Sequence, residues 1–135
     1  MKWTPIEVKT GSRTVFVDIT GRIDEEIRKT GIQNGICFIV IQHTTAGLTI
    51  NENADPDVTR DILVSLSRLV PATGDYRHAE GNSDAHLKAS LMGFSLMVPV
   101  MNGRLARGTW QGIYVCEFDG PRTRQVLVGV QGEEE

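Results

Sequence analysis

ICFIVIQHTTAGLTINENADPDV, residues 36–58, is the stretch on which the fold turns. Residues 36–41 are continuously apolar and rich in β-branched side chains, which predicts a core strand. Leu48 and Ile50 then alternate with Thr49 and Asn51, which predicts a second strand over 48–53. Ala46-Gly47 lies between them as a two-residue turn, and Asp55-Pro56 supplies a cap and a first-turn proline for a helix. Two strands in immediate succession, with no crossover helix between them, predict antiparallel pairing.

Further strands are expected at 3–9, 13–19, 35–43, 94–101, 109–118 and 124–131, punctuated by Gly11, Gly21, Gly31, Asn102-Gly103 and Asp119-Gly120-Pro121. Helices are expected at 21–30, capped by Thr20, and from Asp55-Pro56 along the stripe Val58, Ile62, Leu66 and Leu69 until Pro71. A third spans 83–92, capped by Asn82 or Ser83 and stopped by Gly93. The fold class that follows is α+β: mainly antiparallel β-sandwich-like sheets with two or three short helices, in a single domain covering 1–135.

Composition sets limits on partners. At 135 residues the chain buries about 70% of its extended surface on folding, enough for a core without staples. The net charge of -3 comes without a long lysine or arginine cluster, so a nucleic-acid surface is not expected. No apolar run approaches the roughly 18 residues of a membrane span, and no leader pattern is visible, so a cytoplasmic protein is expected. The two cysteines, Cys37 and Cys116, sit in apolar strands outside any CxxC pattern and read as buried free thiols.

All three histidines, His43, His78 and His86, fall between positions 43 and 86. In a hairpin about Ala46-Gly47, His43 opposes Ile50 and Ile41 opposes Glu52, so His43 and Glu52 share a face about 7 to 8 Å apart. A three-residue turn with a bulge reverses that parity. With no cysteine or fourth histidine at hand, three imidazoles match an open, catalytic-type zinc site, with Glu52, Glu80 and Asp84 to orient ligands or act as base. The spacing matches no HExxH-like motif, so a metal-free pocket of hydrogen-bonded histidines stands beside it.

NGRLARGTWQG, 102–112, and EFDGPRTR, 117–124, form a second polar cluster. Trp110, Tyr114, Cys116 and Phe118 alternate on one face of a strand and Gln111, Ile113, Val115 and Glu117 on the other. An acid beside Ile113 and Val115 needs a partner, which Arg122 or Arg124 supplies. Arg104, Arg107, Arg122, Arg124 and Lys88 are each candidates for phosphate or for ion pairing. No GxSxG, P-loop or dinucleotide-binding GxGxxG pattern is present.

HTTAGLTINENADPDV, HAEGNSDAH, SLMVPVMNGRLARGTWQGI and EFDGPR together closely resemble the YjbQ family, small proteins often labelled secondary thiamine-phosphate synthase. The resemblance runs from about Thr14 to Val128, and its one visible departure is Arg107, where an apolar residue before GTWQ is more typical. It implies a compact α+β homotrimer with a polar pocket near subunit interfaces. Its motifs fall on His43, Thr44, Thr45, Glu52, Asn53, His78, Glu80, Asn82, Asp84, His86, Thr109, Trp110, Gln111, Glu117 and Arg122.

Joined to the ligand chemistry above, the resemblance implies a divalent metal, zinc ahead of magnesium, on His43, His78 and His86. Catalytic roles fall to Glu52, Glu80 and Asp84, and substrate contacts to Thr44, Thr45, Asn53, Asn82, Trp110, Gln111 and Arg122. The implied reaction joins hydroxymethylpyrimidine diphosphate to thiazole phosphate, so a phosphorylated small-molecule substrate is expected. A zinc-dependent hydrolase and a non-enzymatic trimeric metal or small-ligand binder are the alternatives.

Overall fold

The computed structural model describes residues 1–134. Its strands are β1 (Trp3–Lys9), β2 (Val15–Asp18), β3 (Ile32–Ile41), β4 (Ala46–Glu52), β5 (Ser95–Met101), β6 (Arg104–Leu105), β7 (Gln111–Glu117) and β8 (Thr123–Glu134). The helices are α1 (Thr20–Thr30), α2 (Pro56–Leu69) and α3 (Ser83–Met92). A five-stranded antiparallel sheet runs β1-β8-β3-β5-β6, and a three-stranded one runs β2-β7-β4. The α+β sandwich expected from the sequence is the fold observed.

The two sheets close on each other because each has an apolar inner face. Ile6, Val8, Ile39, Ile41, Val98, Val126 and Val128 of the larger sheet form one buried cluster with Leu48, Ile113 and Val115 of the smaller. Ile23 and Ile27, four residues apart on α1, enter the same cluster. The outer face of the small sheet is covered in turn, with Tyr114 and Cys116 packed beside Leu66 of α2 and Ala85 and Ala89 of α3. Strand β7 is therefore sandwiched between layers, and Gly112 to Glu117 are all buried.

Strands β3 and β4 do not form a hairpin. Both flanks of β3 are occupied, by β5 and β8, while β4 pairs with β7 in the other sheet. Residues 42–45 are a corner between sheets, and Ala46-Gly47 is the buried start of β4 rather than a turn. The corner is tight: a Cβ on Gly47 would stand 2.8 Å from the Gly93 carbonyl oxygen and 2.8 Å from Met92 Cβ. Gly93 and Phe94 hold it through Leu48 N–H to Gly93 O (3.0 Å) and Ile41 N–H to Phe94 O (2.9 Å).

The turn and cap chemistry is mostly as the residues dictate. Asn102 (φ 55°) and Gly103 (φ 75°) make a two-residue turn of left-handed residues between Met101 and its partner Arg104. Asp55 caps α2 by accepting from Asp57 N–H at 2.9 Å, with Pro56 at the first position. Thr20, expected to cap α1, is instead its first residue, and Asp18 accepts from both the N–H (2.9 Å) and hydroxyl (2.6 Å) of Thr20. Thr20 Oγ1 in turn accepts from Ile113 N–H, tying α1 to β7.

Candidate functional site

The corner between β3 and β4 presents His43, Thr44 and Thr45 beside the loop before α3 and the turn before β8. His43, Thr44, Thr45, His78, Glu80, Asn82, His86 and Arg122 line one cleft of about 430 Å³, with Asp119 and Arg124. Eight sequence-predicted site residues are thus brought together from three distant segments. Asp84, Glu52, Asn53, Trp110 and Gln111 are not among its lining residues.

The missing five have identifiable positions. Asp84 is fully buried, held by Arg13 at 3.1 Å and by the buried Lys88 at 3.2 Å, so both Asp84 and Lys88 serve an internal ion-pair network. Glu52 lies at the opposite end of β4 from the cleft, six strand residues beyond Ala46, or about 20 Å. This corrects the expected pairing of His43 with Glu52 on one face, which required the hairpin. At that far end Asn53 N–H bonds Trp110 O, Asn53 Nδ2 donates to Asp18, and Gln111 accepts from Gly108 N–H. Trp110 precedes β7 and is exposed, so it does not share the face of Tyr114 and Cys116.

The cleft floor is a buried charge pair. Arg124 Nε donates to Glu117 Oε1 at 2.8 Å, and its Nη2 reaches both Glu117 Oε2 and Thr45 Oγ1. Thr10 Oγ1 and the Phe118 and Asp119 N–H groups complete the coordination of this carboxylate. Burial pushes the Glu117 carboxyl up, but the hydrogen bonds from Arg124, Thr10 and Asp119 outweigh it and hold the group below its ordinary value. Of the two sequence candidates, Arg124 is therefore the partner of Glu117.

Arg122 is different. It bonds Asp119 O at 2.7 Å and the Asp119 carboxylate at 3.1 Å, but about half its side chain remains open to solvent. Burial raises Asp119, and hydrogen bonds from Asn82 and Arg122 more than reverse that. Asn82 Nδ2 donates to Asp119 at 2.9 Å, while Asn82 Oδ1 is buried without a partner. A buried carbonyl oxygen in a cleft wall is an acceptor awaiting a hydrogen or a cation.

His43 Nε2 accepts from Gln125 N–H at 2.9 Å, which places the ring proton of the neutral imidazole on Nδ1. Burial lowers its pKa, and the Arg124 and Arg122 cations lower it further against the opposing pull of Glu117. Both cations are paired, Arg124 with Glu117 and Arg122 with Asp119, and only Arg122 keeps much of its side chain open for a further anion. His78 and His86 meet edge to face with centroids 5.4 Å apart, and His78 Nε2 stands 3.8 Å from Glu80.

These positions test the metal. His78 and His86 stand edge to face, so the edge of one ring meets the face of the other and their in-plane lone pairs are not set on a common ion. His43 does not complete the set, because its Nε2 lone pair is committed to Gln125. Among the described residues no group of three or more His, Cys, Asp or Glu side chains is placed to hold an ion. The residues as they stand do not form a three-histidine centre.

Residues 4–133 match the family described as UPF0047 protein YjbQ-like. The chain belongs to that family. A UPF0047 protein of Bacillus subtilis, YugU, is 49% identical over 94% of this chain and 97% of its own. One from Methanocaldococcus jannaschii is 48% identical over 94% and 92%. A crystal structure of an uncharacterised conserved member from Clostridium acetobutylicum superposes with a TM-score of 0.93 at 52% identity, covering 95% of this chain and 99% of that one. A protein of unknown function from Sulfolobus solfataricus superposes equally, at 0.93, with 36% identity over 98% and 97%.

Sequence reasoning missed Asp119, which orients both Asn82 and Arg122. Its signal was present as an acid three residues before Arg122 in EFDGPR. It also missed Gln125, whose contribution is a backbone N–H and carries no side-chain signal.

Proposed function

We propose that the family cleft binds a small phosphorylated molecule, and that the reaction it serves is a thiamine-phosphate synthase-type condensation. The observation that carries this is the cleft's donor and acceptor pattern: the exposed half of Arg122 and the Nδ1–H of His43 suit an anion. The orphaned Asn82 Oδ1 beside them suits an amino or hydroxyl hydrogen on the same ligand. In that reaction the pyrimidine methylene loses its bond to pyrophosphate and gains one to the thiazole nitrogen. Arg122 would hold phosphate oxygens, and His43 would donate to the departing group.

The direct test is formation of thiamine phosphate and pyrophosphate by purified protein given both substrates. Wild type should also restore thiamine independence to a synthase-deficient strain. His43→Ala should lower the rate about 100-fold, the usual scale for loss of a positioned acid or base. Equal rescue by His43→Ala counts against this site, and no product from wild type counts against the reaction.

The adjoining His78 and His86, with the Glu80 carboxylate 3.8 Å from His78 Nε2, favour a second reading, in which a divalent ion, zinc ahead of magnesium, is bound by these side chains after the rings turn and the protein is a small-substrate hydrolase or a binder. Elemental analysis tests it. About one zinc per chain, lost in His78→Ala, supports it, and metal-free protein with full ligand affinity overturns it.

We further propose a homotrimer in the cytoplasm. The outer face of the five-stranded sheet carries a row in register, Trp3, Gly129, Phe38 and Met97, with Ile36 and Met101 nearby, and Trp3, Ile36, Met97 and Met101 are exposed. An apolar sheet face of this kind favours association with another copy. Both cysteines are free, which suits a reducing compartment, and no described helix is long and apolar enough to cross a membrane.

A further inference from the structure

A second hollow of about 580 Å³ adjoins the polar cleft, and His43, Thr44 and His86 line both. Its other walls are the apolar Ile41, Ala46, Ala89 and Phe94, with Gln42, Ser90 and Gly93. Ile41, Ala46 and Ala89 are buried core residues, whereas Phe94 is 65% exposed at the rim. The two hollows therefore differ in chemistry while sharing a wall. One offers Arg122, Asn82 and His78, and the other is mainly apolar, with Gln42 and Ser90 as its further polar side chains.

We propose that this second hollow is a subsite for a flat apolar ring belonging to the same ligand whose anionic group lies in the cleft. The ligand class is an aryl or heteroaryl phosphate ester, with the bonds between ring and phosphate lying against the shared wall of His43, Thr44 and His86. This rests on the phosphate reading of the cleft and adds the ring's place. An ionised group in the apolar hollow would lose its hydration with little return, whereas a ring gains by burial against Phe94, Ala89 and Ile41.

The hollow is built into the corner of the fold. Gly47 and Gly93 approach so closely that a Cβ on Gly47 would stand 2.8 Å from Gly93 O. The Ile41 N–H to Phe94 O and Leu48 N–H to Gly93 O bonds fasten the same segment to β3 and β4. The backbone at Gly93 and Phe94 is thus fixed to β3 and β4, which sets where the Phe94 ring stands at the rim.

Calorimetric titration of the full chain with inorganic phosphate, glycerol phosphate and benzyl phosphate tests this. Benzyl phosphate should bind roughly tenfold more tightly than glycerol phosphate, from burial of its ring. Phe94→Ala removes the wall, and Ser90→Leu, on the exposed face of α3, narrows the hollow. Each should weaken benzyl phosphate at least fivefold more than inorganic phosphate, whereas Arg122→Ala should weaken all three.

Equal binding of benzyl and glycerol phosphate overturns the subsite and leaves the phosphate reading standing. A benzyl preference that survives both Phe94→Ala and Ser90→Leu overturns it too, because the ring then lies elsewhere. If none of the three phosphates binds, both readings fail.

Discussion

His43 Nε2 accepts a hydrogen bond from the Gln125 N–H at 2.9 Å, linking the corner after β3 to the start of β8. The bond needs a neutral ring, and burial with the Arg124 and Arg122 charges lowers the pKa of His43. A histidine whose folded pKa is depressed takes up its proton more readily in the unfolded chain. Stability is therefore fully present above the unfolded value of about 6.5 and falls as pH drops through the lower folded value. His43→Gln should flatten the stability profile of wild type as pH falls below about 6.5, read by denaturant midpoints across that range. An unchanged slope removes His43 as its source.

Glu117 and Arg124 are both buried and joined through two carboxylate oxygens. Arg124→Ala strands an uncompensated carboxylate and should cost about 3 to 5 kcal/mol of unfolding free energy. Because Glu117 is held ionised in the fold, its contribution is lost as pH falls through and below the usual carboxylate range. Urea unfolding at neutral pH measures the loss. A cost below about 1 kcal/mol would mean that the pair is no stronger than a surface contact.

Two glycines give opposite expectations. Gly47→Ala drives a Cβ into Gly93 O and Met92 and should destabilise by about 1 to 3 kcal/mol. Gly21→Ala, in α1 with nothing within 4 Å of its Cβ, should stabilise by about 0.5 to 1 kcal/mol. Thermal midpoints of the two variants should move in opposite directions.

Burial raises both thiols, Cys37 to about 12. Neither should react with an aromatic disulfide reagent in the native protein at pH 8, and both should react after unfolding. Prompt labelling of one native thiol would place that strand outside the stable core.

Met97 faces outward in the apolar row that includes Phe38 and Trp3. Met97→Lys should dissociate the proposed trimer with little effect on the monomer's own core, as read by sedimentation velocity. A variant that keeps the wild-type mass moves the interface to another face.

Much of the fold was legible because its signals are local. The apolar run at 36–41, the Asn102-Gly103 turn and the Asp55-Pro56 start each determine backbone behaviour within a few residues, and each is realised in place. The histidine cleft was legible as a set of residues for a different reason: HTT, HAEGN and GPR are polar segments flanking core elements, denser in hydrogen-bonding side chains than a turn requires. Their roles were less legible. Asp84 reads as a site acid in sequence, yet Arg13, 71 positions away, makes it part of a buried ion pair.

The sequence by itself determined which segments are strands and helices, where α2 begins, and that Glu117 needs a cation. Tertiary structure decided which strands are neighbours. A hairpin and a sandwich corner satisfy the same apolar pattern in β3 and β4. The sandwich sets Ile39 and Ile41 against Leu48 across a shared core, while β5 and β8 occupy both edges of β3. That choice depends on how distant faces and edges compete for each other, and periodicity within one segment carries no record of it. It also decides function, because turning the corner at residues 42–45 brings His43 to Arg122 and Asn82 and sends Glu52 to the far end of the strand.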